Sequence, residues 1–277
     1  MNPFSLIVSL FNTLFFVPII NVMVVLIHGF NFLGIPGSLG LSIIALTAII
    51  RVLIWPLMSA QLRSTSKMSE LKPHLDRLKQ KHKGDQQNFA KAQMALFKEH
   101  GINPAAGCLP ALIQIPVFFA LYQVIFAFFD AKSGLGRIND LVYSFLPDLQ
   151  KMPDPSFLGL NLASKPSEFG QYGLVLLSIP VVTAFLTFVQ SKMMAGKPVK
   201  PYPSDSPKEK KEKETTSDAM SAMQSQMMYL MPLMVGFFSW QFPVGLALYW
   251  NTFTIFGIIQ QYKIMGLGGL SSWIKKK

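Results

Sequence analysis

Leu39–Leu57 reads LGLSIIALTAIIRVLIWPL, a run whose only polar side chains besides Trp55 are Ser42, Thr47 and Arg51. A stretch of this length and composition crosses a bilayer as a helix, so the chain is read as an all-α membrane protein. Arg51 is the only Asp, Glu, Lys or Arg among the first 62 residues. At 1.5 Å per residue it lies roughly 18 Å along the helix from the next charge, Arg63, which places it within the hydrocarbon layer. A guanidinium there costs about 2.5–3.5 kcal/mol even on lenient insertion scales. No apolar segment of the chain contains an acid that could neutralise it. Its expected surroundings are therefore a water-filled pocket, open to an acidic ligand. Thr47 and Trp55, one turn to either side, share its face, and Pro56 is expected to bend or end the helix.

Working outward, 51% of residues are hydrophobic, 14% are charged and the mean hydropathy is +0.37, which describes a polytopic membrane protein. Residues 1–50, 100–129, 169–191 and 219–262 carry no Asp, Glu, Lys or Arg, and the last is long enough for two spans. The net charge of +11 is unevenly placed: Lys and Arg number nine in 61–107, seven in 191–226 and four in 263–277, whereas 129–170 holds four against five acids. The three basic segments therefore belong in the cytoplasm and the acidic-leaning loop outside. No basic stripe interleaved with stacking aromatics occurs in the polar segments, which argues against direct nucleic-acid binding. The one cysteine, Cys108, excludes a disulfide framework and reads as a packing residue. The N-terminus lacks the basic start and small-residue cleavage site of a signal peptide. A bacterial plasma membrane is the expected address, with the N-terminus outside and the C-terminus in the cytoplasm.

Along the chain, residues 1–38 form an outer region whose apolar stretch is interrupted by Asn12, Pro18, Asn21, His28 and Asn31; it either lies flat on the outer surface or crosses as an extra span, and the interruptions favour lying flat. The expected spans are 39–60, 104–129, 171–192, 223–240 and 243–262, with Asn103-Pro104 opening the second and Gln241, Phe242 and Pro243 turning between the last two. Residues 61–103 are expected as a cytoplasmic helical hairpin with Leu71, Leu75, Leu78, Phe89 and Phe97 on its apolar faces. A loop at 130–170 is expected outside and mostly irregular. Residues 193–222 form a low-complexity cytoplasmic loop, expected to be disordered, and 263–277 a basic tail.

Chemistry-bearing motifs are missing. His28, His74, His82 and His100 are scattered, without HExxH or a Cys partner, and no phosphate-binding glycine loop or nucleophile elbow occurs. No enzyme activity, metal or cofactor is expected. What nearly every span does carry is a polar residue: Thr47 and Arg51, Gln114, Thr183 and Thr187, then Trp250, Asn251 and Thr254. Taken singly, such residues usually join helices. The hydration demand of Arg51 favours their convergence on one cavity.

LSIIALTAIIRVLIWPL (41–57), NPAAGCLPALIQIPVFFALY (103–122) and MMYLMPLMVGFFSWQFPVGLALYWNTFTIFGIIQQ (227–261) together resemble the YidC-type membrane protein insertases and their mitochondrial and chloroplast relatives, over roughly residues 16–262. The resemblance implies five transmembrane helices around a hydrophilic groove open to the cytoplasm and to lipid, with Arg51, Thr47, Gln114, Trp250, Asn251 and Thr254 lining it. It implies that the third and fifth spans guide the client, through Thr183, Phe185, Thr187, Phe188, Phe253 and Phe256, and that the hairpin is mobile. The family's outer interfacial helix falls on about Asn12–Phe32. Implied partners are nascent membrane proteins and the lipid bilayer, with the ribosome and a Sec-type translocon as further candidates. Three departures stand out: no lipoprotein cysteine near the N-terminus, no large domain before the core, and a short tail lacking a long ribosome-binding extension. The expected function is insertion of apolar segments with transfer of short acidic tails, without nucleotide. The alternatives are a small-anion transporter or channel, for which no internal repeat between 39–129 and 169–262 is found, and a chaperone that only holds partner helices.

Overall fold

A computed structural model describes residues 3–82, 84–102, 109–130, 132–194 and 216–271. Cys108, the Asn103-Pro104 start, residues 195–215 of the low-complexity loop and the terminal lysines lie outside the described residues, whereas residues 216–222, expected as disordered loop, form the first turns of a helix that runs on to Gln241. The chain runs α1 (Pro3–Phe11), a π-helical turn (Asn12–Phe16), α2 (Val17–Phe32), α3 (Ser38–Leu53), α4 (Trp55–Glu70), α5 (Lys72–Lys81), α6 (Gln86–Glu99), α7 (Leu109–Phe129) and α8 (Gly134–Asn139). There follow β1 (Ser156–Phe157) paired antiparallel with β2 (Leu160–Asn161), α9 (Phe169–Tyr172), α10 (Ser178–Met194), α11 (Thr216–Gln241) and α12 (Val244–Met265).

Two compact units emerge. The first comprises residues 1–55, 111–184 and 235–256; the second, 56–110, 185–234 and 257–277. In the first unit, α2 presents Ile20, Met23, Val24 and Ile27 to Leu39, Ile43 and Leu46 of α3, and the same buried cluster takes in Leu121, Val124 and Ile125 of α7 and Leu246 and Tyr249 of α12. The spacing of these residues by three and four is the helical period that puts them on one face. Val181, Phe119 and Phe237 of the same unit are exposed. In the second unit Leu71, Phe97 and Ile102 form a small core under α5 and α6, with Met68, Leu75 and Leu96 against it. Leu78 and Phe89 are half-buried. The Asp85 carboxylate caps α6 by accepting from the Asn88 amide at 3.0 Å, which satisfies one of the helix's orphan donors. Gly268 meets the Met193 carbonyl so closely that a Cβ there would stand 2.0 Å from the oxygen.

The helix of Leu39–Leu57 is broken: α3 ends at Leu53, Ile54 takes φ −87° and ψ 0°, and α4 begins at Trp55, next to Pro56. Among the described residues two helices are long and apolar enough to cross a membrane, Ser5–Phe32 and Leu174–Met194. Ser38–Leu53 and Trp55–Glu70 qualify only as one broken span, and Gln114–Phe129 is apolar but shorter.

The segment 130–170 departs from the irregular loop expected of it. It carries α8 and the β1–β2 ladder, with Leu158 and Gly159 in the turn at φ +50° and +78°. Three asparagines account for the order. Asn21 of α2 donates to the Leu141 carbonyl at 2.9 Å and accepts from the Tyr143 amide at 2.7 Å. Asn139 donates to the Leu149 carbonyl at 3.0 Å and accepts from its amide at 3.1 Å, and Asn161 accepts from the Ala163 amide at 2.9 Å. Backbone groups that a loop would leave to water are thus paired with side chains. The Phe157 ring seats in a notch on α3, where a Cβ on Gly40 would fall 2.3 Å from its Cγ. At the start of α12 the Val244 and Gly245 amides donate to the Ser164 and Leu162 carbonyls at 2.9 and 2.8 Å.

Candidate functional site

Arg51 sits in the last turn of α3, and α12 supplies what it touches. Its Nη2 donates to the Phe253 carbonyl, and its Cζ stands 3.4 Å from the centroid of the Phe253 ring. That distance is well inside the range at which a cation is attracted to the face of an aromatic ring. Nε and Nη1 have no hydrogen-bond partner among the described residues, nor does any described carboxylate pair with the guanidinium. Phe253 and Tyr249 are one turn apart on α12, with ring centroids 5.9 Å apart. Gln114 of α7 donates to the Tyr249 hydroxyl at 2.8 Å. Three helices therefore meet in a chain of contacts running from Arg51 through Phe253 and Tyr249 to Gln114.

The expectation that Arg51 stands open to water is corrected here: the side chain is 1% exposed. The reason is an aromatic pair on α12, since Phe253 lies across the guanidinium and Tyr249 packs against Phe253. A half-satisfied cation is nevertheless an unusual core residue, because burying an unpaired charged donor is costly. Thr47 is also buried, its hydroxyl turned back to the Ile43 carbonyl at 2.6 Å, a bond within its own helix that leaves little donor capacity for a ligand. Trp250 packs edge-on against Phe118, centroids 5.7 Å apart. Asn251 keeps a buried Oδ1 without a partner among the described residues, and Thr254 is buried.

The residues expected to guide clients separate. Thr183 of α10 is buried, donates to its own Ile179 carbonyl at 2.8 Å, and accepts from Ser239 of α11 at 3.4 Å, so it joins two helices. Gly236 allows the close approach, a Cβ there falling 2.9 Å from that of Ala184. In the second unit Thr187 is buried, Phe185 is 62% exposed, and Phe188 lies 6.0 Å from Tyr229. Phe256 is half-buried. Phe253, assigned from sequence to a guiding face, is the ring on Arg51. Sequence reasoning missed Tyr249, whose only signal was its position one turn before Phe253, and Ser239.

Residues 31–268 match a family model described as "60Kd inner membrane protein". The chain is 35% identical over 237 residues to a protein of Rickettsia massiliae named "Membrane protein insertase YidC", covering 84% of this chain and 36% of that one. It is 34% identical over 232 residues to a protein of the same name from Fusobacterium nucleatum subsp. nucleatum, covering 84% of this chain and 88% of that one. The chain thus spans about 36% of the length of the Rickettsia relative. Its fold is similar to a solved structure described as "Active YidC insertase crystal structure with the first transmembrane domain resolved", with a TM-score of 0.50 and 24% identity, covering 81% of this chain and 41% of that one.

Proposed function

The chain belongs to the 60Kd inner membrane protein family, that of the YidC-type insertases, and from this membership and the surroundings of Arg51 we propose that it inserts apolar segments of nascent proteins into the bilayer of a bacterial plasma membrane. The observation that carries the proposal is a buried guanidinium with two unpaired nitrogens and no carboxylate partner among the described residues. Such a group gains most from an anion brought to it, because its alternatives in an apolar setting are poor. A short acidic segment of a client, entering from the cytoplasm, would exchange its hydration for Arg51 and for water admitted between α3 and α12. The client's apolar segment then passes into lipid, each buried CH₂ contributing about 0.8 kcal/mol, so that no nucleotide is needed. A potential positive outside adds about 2.3 kcal/mol per acidic charge moved outward per 100 mV.

In this reading five spans, with a core at residues 39–60, 104–129, 171–192, 223–240 and 243–262, enclose a groove that opens from the closed arrangement around Arg51. Residues 1–38 lie on the outer surface, the basic segments face the cytoplasm, and the exposed apolar side chains of α10 and α11 meet lipid and client. Support for an outer position of α2 comes from Asn21 and His28, which bond to backbone groups at 141–147. The test is reconstitution of the purified protein into proteoliposomes with a single-span client bearing either an acidic or a neutral tail. Arg51→Ala should lower translocation of the acidic tail selectively. Equal rates for the variant and the wild type would refute the proposed attraction.

A further inference from the structure

Phe253 touches Arg51 twice, by its ring and by its own carbonyl. Resting on the reading that acidic client segments reach Arg51, we propose that the Phe253 ring is a stand-in for the client carboxylate: it covers the guanidinium between clients and competes with every acidic segment that approaches. Arg51 is 1% exposed whereas Phe253 is half-buried, so Phe253 is the more accessible member of the pair. The chemistry fits a placeholder. A ring face attracts a cation through its quadrupole without carrying charge, and that attraction is strongest where water is excluded. It is still weaker than a charge-assisted bond to a carboxylate. The ring therefore holds the cation against neutral polar chains and yields to an anion. Because the Phe253 carbonyl belongs to the α12 backbone, that contact outlasts any change of side chain, and the two contributions can be separated.

The experiment uses the full chain in proteoliposomes with phenylalanines bearing one, two or three fluorines at position 253, which keep the ring's size while draining negative potential from its face. The half-saturating concentration of the acidic-tailed client should fall stepwise with fluorine number, by up to about tenfold, and a neutral-tailed client should not respond. In an Arg51→Met background the series should be flat. A response that ignores fluorine number, that appears equally for the neutral tail, or that persists without Arg51 would overturn the proposal. Phe253→Leu, read in the same assay, should bind the acidic client at least as well as the trifluorinated ring, and weaker binding would count against competition. If wild-type protein itself treats acidic and neutral tails alike, the insertion reading fails and this inference with it. A wild-type preference combined with a flat fluorine series defeats only the inference.

Discussion

Replacing Arg51 by Met should separate stability from function. The buried guanidinium leaves Nε and Nη1 unpaired, and an unsatisfied buried donor costs about 1–3 kcal/mol, more when charged. Against this stand one charge-assisted bond to the Phe253 carbonyl and the ring contact at 3.4 Å, together about 3.5–5 kcal/mol. Methionine fills most of the same volume, keeps the apolar stem and has no hydration to lose. Even a paired buried charge is often replaced by apolar residues of similar volume without loss of stability. Two unpaired nitrogens cost about 2–6 kcal/mol against the gain of about 3.5–5 kcal/mol, so the contributions nearly cancel and the variant is expected within about 1 kcal/mol of the wild type, a Tm change of a few degrees at most. Thermal unfolding in detergent micelles, followed by circular dichroism, measures the shift, and the proteoliposome assay should show loss of acidic-tail transfer in the same sample. A variant less stable than wild type by more than about 1 kcal/mol would refute the reasoning, since the guanidinium would then be a well-satisfied structural group.

Gly40→Ala should unseat Phe157, because the added Cβ would fall 2.3, 2.5 and 2.9 Å from its Cγ, Cδ2 and Cβ. The expected loss is about 1–3 kcal/mol, and Phe157→Ala in the Gly40→Ala background should cost less than the two single changes summed; additivity would show that the notch is not shared. Asn21→Leu strands the Leu141 carbonyl and the Tyr143 amide, at about 1–3 kcal/mol for each group left unpaired, and hydrogen exchange should accelerate at 141–147 while α7 stays protected. Asp85 caps α6, and the Asn88 bonds hold its carboxyl below the ordinary 3.8. A depressed folded value means that the cap's contribution is present above about pH 4 and is lost as the pH falls through the folded value. Amide protection at 86–89 should follow that course, and Asp85→Ala should remove the pH dependence.

Arg51 was legible as the candidate centre of the site because a single charge among 62 mostly apolar residues stands out, and the family motifs around it were legible for their length and specificity. The state of the arginine was not. Whether a cation meets water or a ring depends on how α12 is rotated about its axis, and the helix is apolar enough on most sides that periodicity does not decide which residue faces α3. Phe253 and Tyr249 look like any other span aromatics until that rotation is known. Thr183 shows a different limit: from the sequence it was read as part of a client-guiding face, and no local pattern indicates that its hydroxyl also bonds its own helix and Ser239. The order of 130–170 escaped detection because it comes from asparagine side chains reaching backbone groups up to 122 residues away, which no local pattern encodes.

The bonds from the Val244 and Gly245 amides to the Ser164 and Leu162 carbonyls fix one end of a lever. They occupy donors that a helix start otherwise leaves to solvent, so any excursion of α12 has its fulcrum there and its amplitude grows with distance along the rod. Phe253 lies nine residues farther on, about 14 Å away at 1.5 Å per residue, and a tilt of about 10° would carry it roughly 2.4 Å, enough to lift an aromatic plate off a cation while the Val244 end stays tied.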